Sequence, residues 1–354
     1  MISAILISRN EFLTVLQIGL LGKANVGKST FFSAATETPV ASGNFPFTTI
    51  EPNVGVAYVQ SDCACKHFEI KHENELCVNG TRFIPIKLID IAGLVPGAHE
   101  GKGLGNQFLD DARQAEVLIH VVDIAGTTDI QGQPVPVGTH DPLEDVIFVQ
   151  EEFDQWFTDI LKREWDKITR EIDQKRAKLT DGIAKRFSGL GIKDYQVQNV
   201  LQKLGLISIN PKEWTDENIQ TFATELRKNT KPMIIAANKA DLCKDLDIIK
   251  KISDDIVPCS AETELLLRKA SKAGIVNYSP GDSDFTIPDG KELPPPQQKA
   301  LDLVKSVFSK IPSTGIQKIL NIAVFDSLNF ITVFPVEDET KLTNKDGVIL
   351  PDTK

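Results

Sequence analysis

Cysteine is scarce and odd in number, five in 354 residues, so no disulfide framework holds this chain together. Long apolar runs are missing: none approaches the roughly 18 residues that a membrane-crossing helix needs. An excess of positive charge is missing as well. Against 39 basic residues stand 49 acidic ones, a net charge of -10 and a pI near 5.1. The surface as a whole therefore does not coat nucleic acid, and any RNA contact has to come from a local patch. The apolar start, Met1 to Leu16, is interrupted by Arg9, Asn10 and Glu11. It also lacks the basic opening and small-residue cleavage site of a secretory signal. These absences fit a reducing cytoplasm. What is present is ordinary globular material, 41% hydrophobic and 25% charged with a mean hydropathy of -0.11. At about 150 residues per domain the length suits two or three domains.

Apolar runs alternate with helical patterns, which predicts an α/β domain with a mainly parallel sheet. The predicted strands are Leu16 to Leu21, Val54 to Val59, Phe83 to Ile89, Val117 to Val122, Met233 to Ala237 and Ile256 to Cys259. Between the fourth and fifth the period turns helical: Val149, Phe153, Trp156, Ile160 and Leu161 recur at three- and four-residue spacing. A second stripe, Val197, Val200, Leu201 and Leu204, follows a break at Ser188 to Gly191. The expectation is a helical insertion over residues 147–226, a long antiparallel pair with a shorter third helix. Its tip carries Lys175, Arg176, Lys178, Lys185 and Arg186, either a solvated helix face or an RNA- or ribosome-facing patch. Residues 15–146 and 227–290 make up the α/β domain. Pro294 to Pro296 read as a stiff linker into helices up to residue 329. Residues 330–354 read as a hairpin turning at Asn344-Lys345-Asp346-Gly347, the first piece of a small domain.

The strongest chemical signal is Gly22-Lys23-Ala24-Asn25-Val26-Gly27-Lys28-Ser29-Thr30, placed directly after a strand and before a helix. This is a phosphate-binding P-loop, whose glycines let backbone N–H groups wrap a polyphosphate. Lys28 reaches the outer phosphates and the Ser29 hydroxyl ligates Mg²⁺. Such a site needs a strand-end carboxylate. Two identical tetrapeptides offer one, Asp90-Ile91-Ala92-Gly93 and Asp123-Ile124-Ala125-Gly126. The first leads into a glycine-rich loop able to reorganise around a γ-phosphate. Asp90 is therefore assigned to the Mg²⁺ shell through water and the Gly93 N–H to the γ-phosphate, while Asp123 reads as a strand-end residue. In Phe45-Pro46-Phe47-Thr48-Thr49-Ile50-Glu51-Pro52 a threonine, Thr49 in preference to Thr48, supplies a second Mg²⁺ ligand.

Asn238-Lys239-Ala240-Asp241 follows the fifth strand. A carboxylate takes both N1–H and N2–H₂ of guanine, a donor pair that adenine lacks, so Asp241 selects guanine, with an unpaired acceptor costing about 1–3 kcal/mol. Lys239 lies over the base and Asn238 braces the loops. Cys259-Ser260-Ala261-Glu262 can place a backbone N–H on guanine O6. Separately, Cys63, Cys65, His67, His72 and Cys77 are Zn²⁺ ligand types. Their C-x-C spacing is unusual, and half-buried thiols in a β-hairpin are the preferred reading.

Four stretches, Asn25 to Thr30, Asn44 to Asn53, Asp90 to Ala98 and Gly103 to Leu109, resemble the Obg-like GTPases. The likeness is to the YchF-type branch in its archaeal form and covers roughly Leu16 to Pro351. The resemblance implies a GTPase-type domain, a coiled-coil-like insertion, a ubiquitin-like C-terminal TGS domain of which only part is present, and association with ribosomes or translation. Residues Met1 to Thr14 have no counterpart in the family pattern and read as an extension or a mis-assigned start. Leu94 stands where many GTPases carry a water-orienting glutamine, so intrinsic hydrolysis should be slow. By the same resemblance Asn25 is a candidate K⁺ ligand beside the phosphates, and His140 and His99 are candidate assisting histidines; a surface histidine without catalytic duty is the preferred reading for both. Catalysis thus falls to Lys28, Thr49 and Gly93, with His140 the weakest of the set. The expected activity is a slow, Mg²⁺-dependent GTP hydrolysis that acts as a switch. The alternatives are an ATPase of the same family and a ribosome- or RNA-binding scaffold with a structural nucleotide. The missing apolar spans exclude a membrane transporter.

Overall fold

A strand buried on both faces belongs at the centre of a sheet covered by helices, and every residue of Val117–Asp123 is buried. The computed structural model describes residues 5–7, 16–37, 53–69, 76–91, 93, 112–174, 178–252 and 256–334. Its strands are β1 (Ile5–Ile7), β2 (Gln17–Leu21), β3 (Val54–Asp62), β4 (Cys77–Val78), β5 (Thr81–Asp90), β6 (Val117–Asp123), β7 (Met233–Asn238), β8 (Ile256–Pro258) and β9 (Ile331–Val333). Its helices are α1 (Lys28–Thr36), α2 (Ala64–Phe68), α3 (Pro142–Asp173), α4 (Leu179–Arg186), α5 (Asp194–Lys203), α6 (Asp216–Thr230), α7 (Asp247–Ile252), α8 (Ala261–Lys272), α9 (Pro295–Phe308) and α10 (Ile316–Asn321).

The main sheet has the order β3-β5-β2-β6-β7-β8, with β4 added beside β5. The pairs from β5 through β2, β6 and β7 to β8 are parallel, and β3 and β4 run antiparallel to β5. The expected mainly parallel α/β sheet is present, and each predicted strand lies in it. Parallel pairing brings the C-terminal ends of β2, β5, β6 and β7 to one edge, where open α/β sheets bind ligands.

The helical insertion departs from its expected form. In place of a long antiparallel pair there is one 32-residue helix, α3, packed against the shorter helices α4 and α6, with α5 packed on those two. Glycines in left-handed backbone, Gly191 at φ 72 and Gly205 at φ 66, interrupt what would otherwise be the returning helix. The start of α3 is set by Asp141, whose side chain accepts from the Leu143 N–H at 3.0 Å, and by Pro142 at the first helical position. The helix thus begins at Pro142, ahead of residue 147. Its apolar stripe is buried as predicted, with Phe157 stacked on Phe187 at 5.5 Å and Trp165 against Trp214 at 4.9 Å between ring centroids. The basic tip loses one member: Arg186 is nearly buried and pairs with Glu171 at 2.8 Å. Lys178 and Lys185 are exposed, and Lys175 and Arg176 lie outside the described residues.

The triple proline is no linker. Pro294 caps α9 and Pro295 starts it, where a missing N–H costs nothing. Beyond it, Ile316, Ile319 and Leu320 of α10, with Ala323 and Val324 of the following π-turn, share one apolar cluster with Ile18, Leu20, Phe31 and Val117. This segment is part of the α/β core. The start of the chain, expected as an N-terminal extension or a mis-assigned start, contributes β1, which pairs antiparallel with β9 through Ile5 and Val333. The hairpin expected at Asn344 to Gly347 lies outside the described residues. The segment after Cys63, expected as a simple hairpin, opens instead with the short helix α2 before β4.

Candidate nucleotide-binding site

The loop between β2 and α1 turns at Gly27, whose φ of 97 suits glycine and whose added Cβ would fall 2.4 Å from Asn238 Nδ2. Lys28 opens α1 and is largely buried, its Nζ donating to the Lys23 carbonyl at 2.8 Å. Burial pushes its ammonium below the usual lysine range, with the Asp90 carboxylate pulling the other way. Asp90, at the end of β5, accepts from the Ser29 hydroxyl through Oδ2 at 3.0 Å. Its other oxygen, Oδ1, is buried with no hydrogen-bond partner among the described residues. Burial raises the Asp90 pKa, against the opposing Ser29 hydrogen bond and Lys28 charge. A half-satisfied carboxylate beside a desolvated ammonium suits a metal-bound polyphosphate, which would compensate both charges. Gly93 sits against this pair: an added Cβ would lie 3.4 Å from Lys28 Nζ and 3.5 Å from Ala24 N. The residues present therefore fit Mg²⁺ with a nucleotide polyphosphate: Ser29 would reach the metal, Asp90 would reach it through water, and Lys28 would face the phosphates.

The loop after β7 is tied to the phosphate loop twice. Asn238 Nδ2 donates to the Val26 carbonyl at 2.9 Å while its Oδ1 accepts from the Ala261 N–H at 3.0 Å. Lys239, in left-handed backbone at φ 62, sends Nζ to Asn25 O at 3.0 Å, Thr127 Oγ1 at 2.9 Å and Asp123 Oδ2 at 2.9 Å. The bracing role expected of Asn238 is visible in these contacts. Of the backbone N–H groups of Cys259 to Glu262, one of which was expected to reach the base, that of Ala261 is engaged by Asn238. Ser260 is buried, caps α8 through the Thr263 N–H, and gives its own N–H to Thr314 O at 2.9 Å. Glu262 follows in the first turn of α8. Asp241 uses its carbonyl to accept from Lys310 Nζ at 2.7 Å, and its carboxylate makes no hydrogen bond among the described residues. Burial first, and the Asp241 charge second, push the Cys259 thiol upward.

Sequence reasoning underrated two carboxylates. Asp123 is more than a strand end. It is fully buried, and its Oδ2 gathers the Thr127 N–H, the Thr127 and Thr128 hydroxyls and Lys239. The signal was available in the register, since Asp123 lies opposite Asn238 across β6 and β7, so the adjacent Lys239 needs an acceptor there. Asp145, in the first turn of α3, pairs with the buried Lys23 at 2.8 Å and with His140 Nε2 at 2.7 Å. The His140 ring is therefore committed to a carboxylate, with Nδ1 facing Glu144 at 3.7 Å, which argues for positioning and against activating water. The loop between β6 and α3 also backs the phosphate loop directly. Asn25 Nδ2 donates to Gly132 O and Lys23 Nζ to Thr128 O, each at 2.9 Å. Thr48, Thr49, Leu94 and His99 lie outside the described residues.

Residues 17–152 match the family described as "50S ribosome-binding GTPase", and residues 236–338 match the "Obg-like GTPase YGR210-like, G4 motif-containing domain". A GTP-binding protein of Methanocaldococcus jannaschii is 45% identical over 342 residues, covering 95% of this chain and 85% of that protein. The "Ribosome-binding ATPase YchF" of Mycoplasma genitalium is 32% identical over 230 residues, 64% of this chain and 57% of that one. Among solved structures, a GTP binding protein from Pyrococcus horikoshii OT3 superposes with a TM-score of 0.73 at 35% identity, over 95% of this chain and 84% of that chain.

Proposed function

The chain belongs to the Obg-like GTPases, in the YchF-like branch, and is a GTP-binding protein; from that premise we propose that it holds GTP with Mg²⁺, hydrolyses it slowly and acts as a switch on the ribosome. The observation that carries the guanine reading is the double tie from Asn238 and Lys239 to Val26 and Asn25. It fixes the base-reading loop against the phosphate loop and leaves the Asp241 carboxylate without a hydrogen bond among the described residues. A fixed acceptor discriminates between bases because an unmatched one costs about 1–3 kcal/mol, roughly 5- to 150-fold in affinity.

In this reading Lys28 neutralises the phosphates, Ser29 and Thr49 ligate Mg²⁺ directly, and Asp90 acts through water. The Gly93 N–H senses the γ-phosphate, and the backbone from Gly22 to Thr30 wraps the phosphates. Ser260, Ala261 and Glu262 close the base side. Asn25 is a candidate K⁺ ligand, and with leucine at position 94 the chain depends on such outside help to hydrolyse GTP at speed. The ribosome is the proposed partner because the family matched over residues 17–152 carries that description and the Mycoplasma relative carries it in its name. Exposed Lys178 and Lys185 on the helical insertion are candidate contacts with RNA. The proposed organisation is a nucleotide domain interrupted by that insertion, with a TGS-like segment from residue 330, working in the cytoplasm.

A second reading, ATP in place of GTP, is favoured by the ATPase name of the Mycoplasma relative. Side-by-side affinities for GTP, GDP, ATP and ADP with Mg²⁺, with and without ribosomes, separate the two. Asp241→Asn tests the base assignment: preference should move from guanine towards xanthine nucleotides. Unaltered GTP preference in that variant would remove Asp241 from the role. Equal ribosome affinity with GDP and with a non-hydrolysable GTP analogue would favour a scaffold over a switch.

A further inference from the structure

At the end of β5 away from Asp90, three thiols from the stretch between the end of β3 and β4 converge. Cys63 follows β3, Cys65 is in α2 and Cys77 is in β4. Their sulfur atoms all lie within 4.8 Å of one another, and Cys65 and Cys77 are 3.7 Å apart. A tetrahedral zinc ion with Zn–S bonds of about 2.3 Å sets its sulfurs about 3.8 Å apart. We propose that Cys63, Cys65 and Cys77 bind one thiophilic divalent cation of the zinc type, in a site separate from the nucleotide.

Three further observations support a built site. First, the ligands are positioned by the sheet. The Cys63 N–H donates to Gly80 O at 2.9 Å, and Cys77 stands opposite Arg82 in the β4–β5 ladder. Asn79 and Gly80, both at positive φ (51 and 76), make the two-residue turn that sets that register. Second, the charge is compensated. Three thiolates around a divalent cation carry one net negative charge, and the fully buried Arg82 guanidinium places Nη2 3.4 Å from Cys63 Sγ. Hydrogen bonds of this kind to ligating atoms tune metal sites. Third, the surroundings are apolar: Ala64, Phe68 and Phe334 pack on the thiols, and Arg82 lies over the Phe334 ring at 5.8 Å. Thiolates select zinc-like cations over Mg²⁺. The fourth coordination position is left to water or another donor. His67, one of the histidines that the sequence offered, is exposed and rests edge-on against Phe68, apart from the thiols. The metal would fasten the β4–β5 hairpin and, through Phe334, the end of β9.

A spacing of 3.7 Å also suits two neutral thiols in contact, so the experiment has to detect the metal itself. The full chain, purified in reducing buffer, is analysed for bound metal, then stripped and titrated with Co²⁺. The expected result is one zinc per chain as isolated and, on titration, one Co²⁺ giving thiolate-to-cobalt charge-transfer absorption with the intense visible bands of a tetrahedral site. Cys65→Ser and Cys77→Ser should each weaken binding at least about a hundredfold, since each removes one of three anionic ligands. Cys243→Ser, remote from the cluster, should bind like the parent. Absence of zinc together with a cobalt spectrum lacking the charge-transfer band would overturn the proposal, and that reading needs no variant to fold. Parental binding by Cys65→Ser, or a Cys65–Cys77 disulfide as the resting state in reducing buffer, would overturn it as well.

Discussion

Lys23 and Asp145 form a buried ion pair, 2.8 Å from Nζ to Oδ2, that joins the phosphate loop to the first turn of α3. Both side chains are almost fully shielded, and His140 completes the carboxylate's shell at 2.7 Å. Removing one partner strands the other as an uncompensated charge, which typically costs about 3–5 kcal/mol. Asp145→Ala should lower unfolding stability by roughly that amount and weaken GTP binding, both measurable by denaturant titration and nucleotide titration. A change below about 1 kcal/mol would mean that water already screens the pair.

Lys28→Ala should abolish tight nucleotide binding. The buried ammonium has a backbone carbonyl for its hydrogen-bond acceptor, so its charge is available to an anion. Loss of charge-assisted hydrogen bonds at about 1.5–3 kcal/mol each implies a hundredfold or greater fall in affinity. Calorimetry with GTP checks it, and parental affinity would remove Lys28 from phosphate binding.

His120 stands in the middle of β6, fully buried, with neither ring nitrogen hydrogen-bonded among the described residues. Burial, reinforced by the Lys28 charge, pushes its pKa down to about 3 from an ordinary value of 6.5. The folded pKa is depressed, so below pH 6.5 the unfolded chain takes up a proton that the folded chain refuses. The resulting stability is fully present above pH 6.5 and is lost as pH falls towards 3. The slope is about 1.4 kcal/mol per pH unit. His120→Leu should flatten the acid limb of the stability curve by this amount. Parallel curves for parent and variant between pH 6 and 4 would show that His120 does not titrate on unfolding.

GTP hydrolysis should be faster in K⁺ than in Na⁺ if Asn25 helps to hold a cation beside the phosphates. Its amide nitrogen is engaged by Gly132 O at 2.9 Å, which orients the side chain and leaves Oδ1 as the ligand atom. Asn25→Ala should erase the difference between the two salts, and equal rates in the parent protein would dismiss the cation.

The sheet and the phosphate loop were legible because their signals are local. β6 reads as an apolar run interrupted by His120 and closed by Asp123, and Gly22 to Thr30 carries its chemistry in consecutive residues. The ties that assemble the site were harder to see because they are long-range. Asn238 finds Val26, and Lys239 finds Asp123, only once β2, β6 and β7 lie side by side. His140 read as a surface histidine without catalytic duty because Asp145, five residues on, reads in sequence as one more acid in a helix's first turn. The helical stripe over residues 149–161 was correct in period. The number of helices was not, because single left-handed glycines decide where each helix stops. Proline misled at Pro294 to Pro296, where the same rigid φ that stiffens a linker also starts a helix. The cysteines gave chemistry without geometry, and only the pairing of β4 with β5 brings the third thiol to the other two.

The rooting of α3 has a mechanical consequence. At 1.5 Å per residue its 32 residues make a rod about 48 Å long. Asp145, which grips the phosphate loop through Lys23, sits at its near end. A tilt of about 5° at that root would carry the far end through about 4 Å, a side chain's width. A lever of this length can report the state of the nucleotide far beyond the reach of any single contact.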